Sequence, residues 1–252
     1  MQRKEFLRSL GMAGLVLPIL SRCKSQDDPS PGSTGGDNSS NGGDPTAEDN
    51  TSADSCSTTA SETAGPFPTK DPASLERIDI RGDRTGIDME VNITILDSSN
   101  SCAPLEGAIV DIWHCDKDGN YSEYGGTQMQ NTNYSSVHFL RGRQISNSNG
   151  MVAFTSIFPG WYSGRSTHIH VHIYNSTGKS LLVTQIAFPE GDDSAVVTVN
   201  ASSENGYTKG MSGYTYNGHD NVFSDGVATE LSSISGSVSD GFTLSHSIVV
   251  TP

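Results

Sequence analysis

Apolar and polar residues alternate in several short segments of the chain beyond residue 60. A two-residue period places the apolar side chains on one face of a β-strand. Turn-forming residues lie between these segments, for example at residues 83–86 and 147–150. The predicted strands are residues 89–96, 108–113, 151–157, 167–174, 181–188 and 241–250. Because no segment has a long 3.6-residue apolar repeat, we predict an all-β domain, either a sandwich or a barrel.

The N-terminal residues resemble an export signal. Three basic residues among the first eight precede an apolar segment at residues 10–20, which is too short to span a bilayer. Cys23 stands where bacterial lipoproteins have their acylated cysteine, although Arg22 replaces the small residue of that pattern. We therefore predict a signal peptide over residues 1–23 and an exported bacterial lipoprotein, periplasmic or on the cell surface. An Arg-Lys pair near the start also resembles a twin-arginine signal, so the export route stays open.

Residues 24–60 are rich in Ser, Gly, Asn and Asp and contain no Val, Ile, Leu, Met, Phe, Trp or Tyr. Such a composition cannot bury enough apolar surface to offset chain entropy, so we predict a flexible linker. The folded domain is accordingly predicted over residues 61–252. The chain carries 15 Lys and Arg against 29 Asp and Glu, a formal charge of −14. This acidity argues against nucleic acid as a partner, because phosphate binding needs a basic surface.

The cysteines give a limited prediction about disulfide bonds. If Cys23 is acylated, Cys56, Cys102 and Cys115 remain, an odd number for an oxidising compartment. Cys102 and Cys115 flank one predicted strand, whose rise of about 3.3 Å per residue holds them too far apart to pair. We therefore expect Cys56 to pair with either Cys102 or Cys115.

Two histidines and two tyrosines form a candidate metal site. His168 and His170 are two residues apart in a predicted strand, so their side chains project from the same face, about 7 Å apart at Cα. His172 shares that face but lies about 7 Å further along. Two histidines in this pattern more often lie on a strand face exposed to solvent. Tyr121 and Tyr162, at the ends of two turns, make a metal site more plausible than the histidines alone do. Two phenolates, two neutral imidazoles and one hydroxide would balance the charge of a ferric ion.

Six sequence blocks, in this order, resemble the intradiol ring-cleavage dioxygenases, the family of catechol and protocatechuate dioxygenases. The resemblance is strongest to exported, single-domain members and extends from residue 62 to the C-terminus. It implies a β-sandwich of mixed and antiparallel strands. The blocks are residues 62–67, 108–121, 139–142, 159–162, 164–170 and 184–186.

The resemblance also implies a role for particular residues. The ligands of a non-haem Fe³⁺ would be Tyr121, Tyr162, His168 and His170. Tyr162 would be the ligand that is displaced and takes a substrate proton, Arg165 would stabilise charge on the ring, and Gln185 would lie near the site of oxygen attack. The implied reaction is cleavage of a catecholic ring by O₂ to a cis,cis-muconate-type diacid. The ring substituents and the oligomeric state stay open.

A different class of protein shares part of this pattern. Transthyretin-like and carboxypeptidase-regulatory-like β modules also contain a Gly-Ala-x-Val segment and an x-Pro-Gly-x-Tyr turn, here residues 107–110 and 158–162. An exported module of this kind would have a binding or structural role without catalysis. It would not need the two tyrosines, the two histidines, Arg165 or Gln185. Iron-bound tyrosinate absorbs visible light, so colour separates the two alternatives.

Overall fold

Two β-sheets enclose a shared apolar core in the computed structural model, which describes residues 56–252. The strands are Asp88–Asp97 (β1), Ala103–Pro104 (β2), Ile109–Trp113 (β3), Arg141–Ile145 (β4), Met151–Ile157 (β5), His168–Tyr174 (β6), Ser180–Ala187 (β7), Ser233–Ser237 (β8) and Gly241–Val250 (β9). One α-helix, Ala195–Asn200 (α1), lies between β7 and β8. Short 3₁₀ helices span Pro72–Leu75, Ser98–Asn100, Ser203–Asn205 and Asn217–His219. This architecture confirms the predicted all-β sandwich.

The first sheet has the order β2-β1-β9-β8, with β5 also paired to β1, and the second has the order β4-β3-β6-β7. β1 and β9 are parallel, and the other pairs are antiparallel. In β1 the alternate side chains of Met89, Val91, Ile93 and Ile95 are buried, which is the face that the apolar period predicts. None of the helices within residues 56–252 has the length and apolar character needed to cross a bilayer.

Strand β6 is buried on both of its faces. Ile169, Val171 and Ile173 belong to the apolar core between the sheets. His168 and His170 alternate with them and therefore project from the opposite face, yet both are also buried. Gly65 lies against His170, and the Tyr121 and Tyr162 side chains lie against His168. The His168–His170 end of this face is thus enclosed by loops, which creates a polar interior separate from the core, whereas His172 and Tyr174 further along are partly exposed.

A disulfide bond joins Cys56 to Cys102, with their Cα atoms 5.7 Å apart. This confirms the prediction that Cys56 pairs with one of the two candidates, and Cys115 is a buried free thiol. Thr59, at the end of the segment assigned to the linker, exchanges two hydrogen bonds with Val249 of β9. The predicted signal peptide, the acylation site Cys23 and the linker before Cys56 lie outside the described residues.

Glu230 is a fully buried acid next to the edge strand β7. Neither oxygen of its carboxyl group has a hydrogen-bond partner within residues 56–252. Burial, with the nearby carboxylates of Glu62 and Asp225, raises the pKa of Glu230 to about 8. The folded state therefore keeps a proton that the unfolded state loses at lower pH, so the contribution of Glu230 to stability falls as the pH rises towards 8.

We expect Glu230→Gln to remove this pH dependence. The unfolding midpoint of the wild type, taken relative to that of the variant, should fall between pH ~6 and pH ~9, which leaves the variant higher by roughly 3–6 °C at the upper pH. Differential scanning calorimetry across this range measures the effect. Glu90→Gln, on the exposed face of β1, is the control and should follow the wild type. A midpoint difference between the wild type and Glu230→Gln that stays constant over this interval would contradict the prediction.

Candidate metal centre

Three neighbouring strands hold one row of side chains on the enclosed face of the second sheet. Cross-strand pairing places Trp113 of β3 and Gln185 of β7 on either side of His170 of β6. The Trp113 and His170 rings are stacked, with centroids 4.9 Å apart and planes 2° apart. Gly65, at φ +67°, lies close to the imidazole, where an added Cβ would be 3.0 Å from its Cε1 atom. The indole and the close backbone of Gly65 therefore both restrict the His170 ring.

Three candidate donor atoms meet at His168. Its Nε2 atom lies 3.2 Å from the Tyr121 hydroxyl and 3.2 Å from His170 Nε2. The carbonyl oxygen of Ser166 lies 2.7 Å from His168 Nδ1 and accepts its proton, so the lone pair of Nε2 faces the cluster. Donor atoms around one ion are ordinarily roughly 3 Å apart, given metal–nitrogen distances of about 2 Å. The spacing of these three atoms is that of ligands sharing a cation.

Tyr121 is fixed by the turn that precedes it. The Asp116 carboxylate accepts hydrogen bonds from the backbone amides of Asp118 and Asn120 at 3.0 and 2.9 Å. The Gln130 side chain accepts from the Tyr121 amide and donates to its carbonyl. Because the phenol ring is also fully buried, the Tyr121 hydroxyl has little freedom to leave the cluster.

The turn before Tyr121 touches the segment that carries Tyr162. Gly119 has a φ of +86°, and a Cβ there would lie 2.4 Å from the carbonyl oxygen of Trp161. Only glycine therefore permits this approach. The Tyr121 and Tyr162 rings meet edge to face, with centroids 5.8 Å apart. Tyr162 is only partly buried, so the structure brings the two phenols together but leaves one of them closer to solvent.

Arg165 joins Tyr162, the histidines and Gln185. Its Nη1 atom lies 3.4 Å from the Tyr162 hydroxyl and 3.5 Å from His168 Nε2. Its Nη2 atom donates to the Gln185 side-chain carbonyl at 2.5 Å, while the Gln185 amide donates to the carbonyl of Thr63 at 2.8 Å. The structure thus brings together all six residues that the sequence singled out. The Gln185 side chain thus links Arg165 to the segment that contains Thr63.

Asp220 is a site residue that the sequence analysis missed. Both of its carboxylate oxygens lie 2.8 Å from Arg165 Nε, and one also accepts from the Ser166 amide at 2.8 Å. Burial disfavours its charge, but hydrogen bonds from the Ser166 and Val222 amides, together with Arg165, hold the pKa of Asp220 below its usual value. Asp220 is therefore a buried carboxylate that anchors the guanidinium.

His172, the third histidine of the strand, does not join the cluster. Its ring nitrogens contact the hydroxyls of Ser180 and Tyr174, each at 2.8 Å. This agrees with its predicted distance from the first two histidines.

Burial sets the protonation states of the candidate ligands. It lowers the pKa of His168 to about 3, with a further contribution from Arg165, and that of His170 well below its ordinary value. Both imidazoles are therefore neutral near pH 7 and can donate lone pairs to a metal. Burial also raises the pKa of the Tyr121 and Tyr162 phenols. A strongly charged cation is the partner that would make these phenols release their protons.

The donor set fits a hard trivalent ion. Within residues 56–252, no group of three or more His, Cys, Asp or Glu side chains is arranged to hold a metal. Metal binding at this cluster would therefore depend on the phenols, which are hard anionic ligands once deprotonated. His170 Nδ1 is buried without a hydrogen-bond partner among the described residues. No hydrogen bond therefore engages Nδ1, and the ring is oriented by its packing and by the contact of Nε2 with His168, so that Nε2 faces the cluster.

Comparisons with known proteins point to one family. The sequence model of a family described as "Dioxygenase" matches residues 68–208. Chlorocatechol 1,2-dioxygenase of Rhodococcus opacus is 32% identical over 146 residues, which are 50% of this chain and 52% of that protein. The chain thus spans about half the length of this curated relative.

Solved structures have the same fold. An intradiol ring-cleavage dioxygenase from Tetranychus urticae is 29% identical, with a TM-score of 0.68 over 78% of this chain and 96% of that chain. The dioxygenase domain of a carbohydrate-binding fusion protein from Streptomyces sp. SirexAA-E is 22% identical, with a TM-score of 0.54 over 77% of this chain and 99% of that chain. The matched sequence, the β-sandwich fold and these structural neighbours together show that the chain belongs to the intradiol ring-cleavage dioxygenase family.

Proposed function

We propose that the protein is a non-haem Fe³⁺ enzyme that uses O₂ to cleave a catecholic ring between its hydroxyl-bearing carbons, giving a cis,cis-muconate-type diacid. The observation that carries the proposal is the position of His168 Nε2, which lies 3.2 Å from the Tyr121 hydroxyl and 3.2 Å from His170 Nε2. Family membership supports the reaction class. The name of the curated relative gives a chlorocatechol as its substrate, which agrees with a catecholic substrate for this protein.

In this proposal Tyr121, Tyr162, His168 and His170 hold the ferric ion. When bound, the ion would supply the Lewis acidity that activates a deprotonated catechol towards O₂. The chain would provide two neutral nitrogen donors and two phenol oxygens in a site largely shielded from water. Low solvent access strengthens each electrostatic contact in the site.

Tyr162 is the better candidate for a proton acceptor. Tyr121 is fully buried, stacked on Phe67 at 4.8 Å and held by Gln130. Tyr162 is partly exposed and has Arg165 Nη1 3.4 Å from its hydroxyl. As a phenolate, its Oη could move and take a hydroxyl proton from the catechol. Arg165 would then face the ring as a fixed cation and stabilise negative charge that develops there.

We also propose that the protein is exported and anchored by a lipid at Cys23. The disulfide between Cys56 and Cys102 supports an oxidising compartment, because such bonds are rare in the cytosol. The non-catalytic β-module alternative gains no support from the structure, since such a module has no need of a buried Arg165–Asp220 pair beside two phenols and two imidazoles.

Oxygen consumption on a panel of catechols, with metal analysis of the same preparation, tests the proposed function. We expect uptake that depends on bound iron, together with a burgundy colour from tyrosinate-to-iron charge transfer. A colourless, iron-loaded protein that consumes no oxygen with any catechol would reject the proposal.

The short connection between Tyr162 and His168 predicts a broad substrate range. Only five residues separate them, and Ser163 and Gly164 are exposed. Because cytoplasmic members of the family have a longer loop over the substrate, we expect substituted, bulky catechols to be cleaved with kcat/KM within about tenfold of catechol. A competition assay with paired substrates measures the ratio. A strict preference for unsubstituted catechol would contradict the prediction.

A further inference from the structure

A cation of the chain itself lies against the proposed metal position. Arg165 is only 7% exposed, and its Nη1 atom is 3.4 Å from Tyr162 Oη and 3.5 Å from His168 Nε2. These are two of the atoms that would bind the ferric ion. Like charges repel strongly at such distances in a site with little water. An uncompensated guanidinium here would therefore oppose the binding of a trivalent cation.

One carboxylate is placed to cancel this charge. Asp220 is 1% exposed, and both of its oxygens lie 2.8 Å from Arg165 Nε. The Glu62 carboxylate also interacts with Arg165, but Glu62 is only partly buried. Water screens a partly exposed charge more than a buried one. Asp220 is thus the main anionic partner of the guanidinium, and it lies beyond the residues that the family model matches.

We propose that Asp220 is the charge-compensating residue of the metal centre: by pairing with Arg165 it allows a trivalent cation to bind beside the guanidinium. This inference rests on the proposed function, because it takes the ferric ion to bind at the two tyrosines and two histidines. Arg165 and Asp220 then form a neutral unit, in which Arg165 keeps donors for the substrate without raising the net charge at the ion.

A purely structural role for Asp220 makes a different prediction. Its carboxylate also accepts from the Ser166 amide and hydroxyl, at 2.8 and 3.1 Å. The Ser166 carbonyl in turn orients His168 through Nδ1. If Asp220 acted only through this backbone contact, removal of Arg165 could not repair the loss of Asp220. If Asp220 instead compensates the charge of Arg165, removal of Arg165 should restore the ferric-ion binding that the loss of Asp220 weakens.

The test measures ferric-ion affinity by competition with a coloured chelator, which requires no turnover. We expect Asp220→Asn to bind ferric ion at least about tenfold more weakly than the wild type. The double variant R165M/D220N, which leaves no unpaired charge, should return to within about threefold of the wild type. The matched control is Asp225→Asn, which removes an exposed carboxylate from the same loop and should also stay within about threefold.

The outcomes separate this inference from the proposed function. A wild-type protein that binds no ferric ion overturns the proposed function, and the inference with it. A wild type that binds while Asp220→Asn binds equally well overturns the inference alone. So does a double variant that binds as weakly as Asp220→Asn, because that result assigns Asp220 to the Ser166 contact. If Asp220→Asn does not fold, the double variant decides: tenfold weaker binding there overturns the inference, and near-wild-type binding supports it.

Discussion

Tyr121→Phe is expected to lose both ferric-ion binding and the visible absorption of the iron-loaded protein. The substitution removes the hydroxyl that lies 3.2 Å from His168 Nε2 and leaves the ring to fill the same buried space. Removal of a charged ligand would leave the ferric centre one negative charge short in a buried site. Iron content and the visible spectrum after loading measure the effect, and oxygen uptake should fall below detection.

Tyr174→Phe is the matched control. Tyr174 lies on the same strand, β6, but its hydroxyl contacts His172 rather than the cluster. This variant should keep the iron content and the spectrum of the wild type. If Tyr121→Phe retained iron with an unchanged spectrum, Tyr121 would not be a ligand.

Arg165→Met is expected to lower kcat by roughly 10²–10³-fold, the loss typical when one donor to a developing charge is removed. Ferric ion should still bind, because Arg165 supplies no lone pair and its removal takes a positive charge away from the centre. The effect should appear in kcat more than in KM, since the guanidinium interacts most strongly with charge that develops during the reaction. Steady-state oxygen uptake, together with iron analysis, separates these quantities.

Arg143→Met provides the comparison for this second variant. Arg143 lies on β4 of the same sheet and pairs with Asp111 at 2.6 Å, away from the cluster. It should retain a kcat near that of the wild type. An Arg165→Met enzyme with unchanged kcat, or one that loses iron instead, would contradict the assigned role.

Most of the sandwich could be predicted because its strands have one apolar face. All six predicted strands are present, and their ends agree within one or two residues. The missed strands lack that pattern. β4 has the sequence RGRQI, in which Arg141 is buried by hydrogen bonds rather than by apolar contacts. β8 has the sequence SISGS and lies at the edge of its sheet.

The site was predictable where its residues follow a local pattern. His168 and His170 are brought together by the two-residue period of a strand, and cross-strand pairing then places Gln185 beside His170. Tyr121 and Tyr162 were candidates from their positions at the ends of turns, but only the family resemblance implied that they share one metal ion with the histidines, since a turn does not by itself show where its last side chain points. Asp220 was missed because it reaches Arg165 from 55 positions along the chain, in an irregular segment between α1 and β8.

We propose that this chain inserts both atoms of O₂ into a catechol, between the two hydroxyl-bearing carbons. Mass spectrometry of the product formed from catechol and isotopically labelled O₂ tests it most directly, on a preparation of known iron content. We expect a cis,cis-muconate that carries both labelled atoms, one in each new carboxyl group. A semialdehyde from cleavage beside the diol, or a quinone without label, would contradict it.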